Sequence, residues 1–410
     1  MVSTIRFFTF LLAVLASLPF AMHAQKPDPF FAGTDFAKWA GQPPVEQIPW
    51  KLRIISGGLS VYQRIVGHCI IDIPGRYFKQ RSESGELVAM IEVTDSAGHI
   101  YQDHSVEFVQ SKNLDAKSGV RFVWHAFVLP GDYEVILALY DRATGKHSFG
   151  YRKLRIDPLP KDPLPDAWSG LPTVELLKIT SQQPDSSFHP EISGRLNLTL
   201  APRRPVRIEL LANLTGTGRA MVSHGAYTFN LGSLLPILKT FSQVEVRGGT
   251  LNVEVLDLVR RQVAFQQEDA RQLDWPLLKT AVTEADPTKV DVRALQDIKH
   301  TAASLRQEVA QRIANGAGPP DALPVLILVS SSAFFEDLKD INDTLVPSEC
   351  NCVVYYIRYN PFVLRYHLAL DDFDNVKKVL RPLPVRARIA QSAEDLRRIL
   401  AEIMDEVSKL

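Results

Sequence analysis

LPVLILVSSS, residues 323–332, runs seven residues without a charged or polar side chain and then ends in three serines. An unbroken apolar run of this length does not alternate, so both faces of the segment are expected to be buried. That is the pattern of a strand inside a sheet covered on both sides, as parallel sheets are. The neighbouring segments read the same way. RPVRIELLANL (204–214) and CNCVVYYIRY (350–359) are strands, GTLNVEVLDLVRRQVAFQQ (249–267) is one or two strands with a bend, and VRARIA (385–390) is an edge strand. Between them the apolar spacing turns helical. NLGSLLPILKTFSQ (230–243) places Leu231, Leu234, Leu235 and Leu238 on one face. A long helix begins at the DPTK of 286–289, carries Val290, Leu295, Ile298, Leu305, Val309 and Ile313, and stops at the NGAG of 315–318. Ser392 caps a closing helix whose Leu396, Ile399, Leu400 and Ile403 face inward. Alternating strands and helices imply an α/β half with a largely parallel sheet.

Upstream the pattern is different. QRIVGHCIIDI, ELVAMIEVTD, VRFVWHAFVL, DYEVILALYD and GYRKLRI are short segments rich in Val, Ile and aromatics. Turn clusters such as DSAG (95–98) and DRATGK (141–146) separate them. Short strands at this spacing imply an antiparallel β-sandwich. LPGDYEV (129–135) is similar to the tyrosine corner of immunoglobulin-like sandwiches, with Tyr133 at the strand start. DPLPKDPLPDAW (157–168) alternates proline with Leu and Asp, the composition of a semi-rigid spacer. The expected organisation is a signal peptide over 1–24, an N-terminal arm over 25–50, a sandwich over 51–157, a proline-rich linker over 158–171 and the α/β domain over 172–410.

ELLANLTGT (209–217) sits where the first strand of the α/β half ends. The element order over residues 200–410, together with this loop, resembles a von Willebrand factor A domain of the divergent bacterial exported type. The fold class expected is therefore multidomain. An N-terminal immunoglobulin-like antiparallel sandwich would precede a C-terminal three-layer α/β domain of the von Willebrand factor A kind. The resemblance implies a metal-ion-dependent adhesion site, built from Asp-x-Ser-x-Ser after the first strand, a Thr before the long helix and an Asp after the central strand. Here Asn213 stands at the first Asp, and Thr215 and Thr217 stand at the two serines. Thr288 matches the Thr, and Ser330, Ser331 and Ser332 stand where Thr-Asp-Gly would be. The hydroxyls are kept and both carboxylates are lost. Magnesium is dehydrated reluctantly and needs carboxylate charge, so the site is expected to be degenerate, with no metal and no cofactor. Asp286 and Asp291 are the nearby carboxylates that would contradict this expectation.

Other chemistry is poorly represented. LTGTGRA lacks the Gly-Lys-Ser/Thr of a phosphate loop and the third glycine of a dinucleotide fingerprint. The serines of 330–332 have no Gly-x-Ser-x-Gly frame. The ten histidines, His99, His104 and His300 among them, show no paired metal spacing. Cys69, Cys350 and Cys352 do not form a disulfide framework. A direct Cys350–Cys352 bridge is expected to be strained, which leaves structural thiols with at most one bridge. Asn197, Asn213 and Asn342 open glycosylation sequons. YYIRYNPFVLRYH (355–367) reads either as an exposed partner surface or as a strand followed by a packed loop.

Lys plus Arg and Asp plus Glu number 46 each, so the chain is formally neutral. A nucleic-acid binder would carry a basic excess, and none is expected as a partner. Arg6, the apolar run Phe7–Phe20 and the small Ala24 before Gln25 have the pattern of a secretory signal peptide. The mature chain is expected to be secreted or periplasmic, with no membrane span. The expected function is a non-enzymatic protein-interaction or adhesion-type module with an unknown protein or cell-surface partner. One alternative is an exported hydrolase or carbohydrate-acting enzyme drawing on Asp286, Asp291, Glu336 and Asp337. Another is a structural envelope component.

Overall fold

A computed structural model describes residues 28–80, 84–110, 119–177, 192–215, 224–286, 300–331, 333–336, 338, 350–359 and 374–410, with the backbone alone for 224–230 and 233. The signal-peptide segment, Thr217, Thr288, Asp291, Ser332, Asp337 and Asn342 lie outside the described residues, as do the aromatic stretch after Tyr359 and residues 287–299 of the expected long helix.

The arm forms two short helices, α1 (Pro29–Ala32) and α2 (Phe36–Ala40), then β1 (Val45–Glu46). Next come β2 (Lys51–Leu59), β3 (Ile65–Pro74), α3 (Gly75–Lys79), β4 (Gly85–Asp95), β5 (Ile100–Val109), β6 (Gly119–Val128), β7 (Gly131–Asp141), β8 (His147–Ile156) and β9 (Val174–Leu177). These strands make two antiparallel sheets, ordered β1-β8-β7-β4-β5 and β2-β3-β6-β9. Strict alternation along β3 sends Ile65, Cys69, Ile71 and Ile73 into the core between the sheets. β4 buries Val88, Ala89 and Met90 in succession, on both faces. The arm explains this. Phe31, Phe36 and Trp39 cover the outer face, packing on Val88, Met90, Ala138 and Phe149. The Tyr133 hydroxyl donates to the Leu129 carbonyl at 2.6 Å, the tie expected of the corner sequence.

The second half contains β10 (Leu198–Leu200), β11 (Val206–Asn213), α4 (His224–Phe241), β12 (Val244–Val246), β13 (Thr250–Asp257), β14 (Gln262–Gln267), α5 (Trp275–Glu284) and α6 (Thr301–Asn315). It continues with β15 (Leu323–Ser330), β16 (Val353–Tyr359), α7 (Val376–Val379), β17 (Val385–Ala390) and α8 (Ala393–Ser408). β10 and β12 form a separate two-stranded ladder, and the rest make a mixed sheet ordered β14-β13-β11-β15-β16-β17. β14 runs antiparallel to β13, and the other neighbours in this sheet are parallel. One apolar cluster gathers residues of α4, α5 and α8 against the sheet, and a second gathers residues of α6 and α7. Ser392 caps α8 by accepting from the Asp395 N–H at 3.1 Å.

The proline-rich segment is docked on both halves. Arg397 of α8 holds the Asp162 carboxylate at 2.6 and 2.8 Å and donates to the Leu164 carbonyl at 2.8 Å. The Trp168 indole donates to the Gln63 carbonyl, and the Gln63 amide donates across to the Ala393 carbonyl. Buried Arg64 pairs with Glu175, which also accepts from the Ser193 and Gly194 N–H groups.

The fold class expected from the sequence is corrected. The described residues are 42% strand and 25% helix and build several sheets that are antiparallel or mixed, with no clear C-terminal parallel three-layer von Willebrand factor A fold among them. Eight of the thirteen strand pairings among the described residues are antiparallel, so antiparallel pairing predominates among them. Apolar runs report burial of both faces. They do not report strand direction or which strands share a sheet. Of the cysteines, one bridge forms and one thiol is left over: Cys350 and Cys352 are bridged with Cα atoms 5.2 Å apart, and Cys69 is a buried free thiol. Among the described residues no helix is long and apolar enough to cross a membrane.

Candidate functional site at the strand ends

Parallel strands deliver their carboxyl ends to one edge of a sheet, where ligands of open sheets gather. Register places Asn213 of β11 opposite Ser330 of β15, and Ser330 opposite Arg358 of β16. The rim residues read from sequence are thus partly brought together. Asn213 and Thr215 are each 2% exposed, and Ser330 is 1% exposed. The Asn213 amide donates to Ser330 Oγ at 3.0 Å. Its carbonyl oxygen accepts from the Thr215 N–H at 3.2 Å and from the Thr215 hydroxyl at 3.0 Å. Thr215 Oγ1 in turn accepts from the Leu258 N–H at 2.9 Å, which ties the loop after β11 to the end of β13. Ser331 is buried beside Ser330. The buried Asn213 side chain is closed to glycosylation, whereas Asn197 is exposed.

Two charged pairs stand at this edge among the described residues. Asp257 accepts from the Val259 and Arg260 N–H groups at 3.1 Å and pairs with the Arg260 guanidinium at 2.6 Å. Asp374 accepts from the Tyr356 hydroxyl at 2.5 Å and lies 4.0 Å from Arg358. Burial and the Asp374 charge push the Tyr356 phenol well above its ordinary range, so it remains a donor. Asn375 clips the Phe335 backbone through both N–H and C=O, at 2.9 and 2.8 Å. Next to that clip Phe334 stands 42% exposed. Of the carboxylates considered for an enzymatic reading, Glu336 is exposed and Asp286 is half-buried.

Two clusters carry chemistry that the sequence did not announce. One lies at the amino ends of the same strands. Arg207 pairs with Glu209 at 2.9 Å and donates to the Arg312 and Ile313 carbonyls at the end of α6. Arg312 pairs with Glu254 and, at 3.0 Å, with Glu308, and Asn252 donates to Glu209 at 2.9 Å. Burial pushes Glu254 up to about 8, opposed by Arg312 and reinforced by Glu308 and Glu209. Glu209 is raised for the same first reason. The available signal was the alternation of charge in RIE at 207–209 inside an apolar strand. The other cluster is Asp28, Asp103 and His104, whose ligand atoms lie within 4.8 Å of one another. Asp28 Oδ1 already accepts from the Phe30 N–H at 3.0 Å, and Oδ2 pairs with His104, whose ring stacks on Phe30. This set fastens α1 to the edge strand β5 and is well away from the rim.

No family model and no curated protein matches the chain. Among solved structures, the Northeast Structural Genomics Consortium target SoR45 is 11% identical. It spans 27% of this chain and 87% of its own, with a TM-score of 0.19. A variant of the PilB minor pilin from Streptococcus sanguinis is 7% identical over 90% of this chain and 80% of that one, at 0.23. A family 123 glycoside hydrolase from Clostridium perfringens is 8% identical over 76% of this chain and 65% of that one, at 0.25. At these scores the likenesses carry no argument about activity or partner, and none indicates a von Willebrand factor A-like domain.

Proposed function

We propose that the chain is an exported, non-enzymatic protein-interaction module of adhesion type that meets a protein partner at the carboxyl edge of the mixed sheet. One observation carries the reading. Asn213, Thr215 and Ser330 of that edge close on one another in a neutral network, while Phe334 stands exposed beside them. A reactive centre needs a donor or base turned toward substrate, whereas an exposed aromatic beside a rigid polar floor suits a protein contact. Export is supported by the charged, apolar and small-residue order of residues 1–24.

The test places a photo-crosslinking residue at position 334 of the full chain, in the cells that make it, with position 277 as a control. Leu277 is 54% exposed and belongs to α5, away from the strand ends. A discrete protein adduct at 334 that is absent at 277 is expected. Adducts at neither position, or equally at both, would overturn the reading. Export is checked separately by sequencing the amino terminus of the protein from the extracellular or periplasmic fraction, where Gln25 is expected to come first. Recovery of uncleaved chain from the cytoplasm alone would refute it.

A further inference from the structure

At the opposite end of the sheet from the rim lies a cavity of about 460 Å³. It is lined by the last turn of α4 and the residues after it, by the segment before β10, and by the segment that leads into α5. Since α4 ends at Phe241 and β13 begins at Thr250, this is the amino edge of the parallel strands. The volume falls in the range of small-molecule sites, about 300–1,000 Å³.

Its charge is one-sided. Among the described residues, Arg195, Arg271 and Lys239 line it against a single carboxylate, Asp274. That carboxylate is committed to the fold, because it caps α5 by accepting from the Leu277 N–H at 3.0 Å. Gln243 is committed too, accepting from the Leu196 N–H at 2.7 Å and donating to the Lys239 carbonyl at 3.0 Å. The guanidinium groups of Arg195 and Arg271 line the space without such a commitment. Among the described residues neither Arg195 nor Arg271 has a carboxylate partner. Lys239 is fixed in place by donating to the Ile192 carbonyl at 3.1 Å, with its ammonium 5.0 Å from the centre of the Trp275 ring. Uncompensated guanidinium groups converging on a cleft favour an oxyanion, which they bind through paired N–H donors. The indole in the same wall offers an amphipathic surface for a ring.

We propose that this cavity binds a small anionic sugar-sized ligand. Its carboxylate or phosphate group is held by Arg195, Arg271 and Lys239, and its ring lies against Trp275. This site is independent of the rim and of the protein partner inferred there.

The test is calorimetric titration of the full chain with glucuronic acid, glucose 6-phosphate and glucose, each at low and at 0.5 M salt. Saturable binding of at least one anionic probe is expected, with glucose at least about tenfold weaker and the anionic signal reduced at high salt. The double variant Arg195→Ala/Arg271→Ala removes two exposed side chains, so its melting temperature should match the parent, and its affinity should fall at least about tenfold. Tighter binding of glucuronic acid assigns a carboxylate ligand, and tighter binding of glucose 6-phosphate assigns a phosphate. No saturable binding of either anion, equal binding of glucose, or unchanged affinity in the double variant would overturn the proposal.

Discussion

Asn213 holds its neighbours through both ends of its amide, donating to Ser330 and accepting twice from Thr215. Asn213→Ala would leave a buried hydroxyl and a buried N–H without this partner. The expected cost is about 1–3 kcal/mol in urea unfolding, and an unchanged midpoint would mean that the network does not stabilise the edge. Glu254 behaves differently, because burial has raised its carboxyl to about 8 from an ordinary 4.5. A raised acid in the folded state makes its full contribution below the ordinary value, and that contribution is lost as pH rises toward 8, where the unfolded chain gains by ionising. In Glu254→Gln this proton linkage disappears, and Arg312 keeps Glu308 at 3.0 Å. Melting curves should show the parent losing stability relative to the variant between pH 5 and pH 8. A constant difference over that window would refute the assignment.

Individual elements were the best-read level of the sequence. The apolar run at 323–329 does form a strand inside a sheet, and the closing helix begins at its expected cap with Leu396, Ile399, Leu400 and Ile403 buried. Ser392→Ala should cost about 1 kcal/mol in stability. Thermal melting checks it, and a loss below a few tenths would show the cap to be idle. The end of α6 was legible as a stop at NGAG, but not its reason. A side chain at Gly316 would collide with the Glu209 carboxylate, so glycine there makes room for a charge network that local pattern cannot reveal.

Over the whole molecule, the two halves are joined by buried polar contacts as well as by chain connection. Glu175 of β9, paired with Arg64 inside the first half, accepts from the Ser193 and Gly194 N–H groups, and Arg397 holds Asp162 of the proline-rich segment against the second half. Calorimetry of the full chain should therefore show one cooperative transition, and two resolved transitions would refute the coupling. Glu175→Ala leaves a buried guanidinium without its partner, and about 3–5 kcal/mol of destabilisation is expected. The proline composition of 157–168 implied a spacer. Docking came instead from Arg397, a residue 235 positions from Asp162 in sequence, and no local reading links the two.

Sequence alone determined what depends on near neighbours. Period, caps and turns marked many of the strands and helices, and the uncharged side chains of Asn213, Thr215 and Ser330 were legible before any geometry was known. The tertiary structure decided what depends on distant pairing. It set the direction and partnership of the strands, the cover that the arm gives to β4, the Cys350–Cys352 bridge, the buried charges around Glu254 and the cationic cavity at the amino edge. Periodicity records how much of a face is buried, a property each segment carries by itself. Which segment does the burying is settled only when the chain closes on itself, because that choice rests on contacts between residues that sequence order keeps far apart.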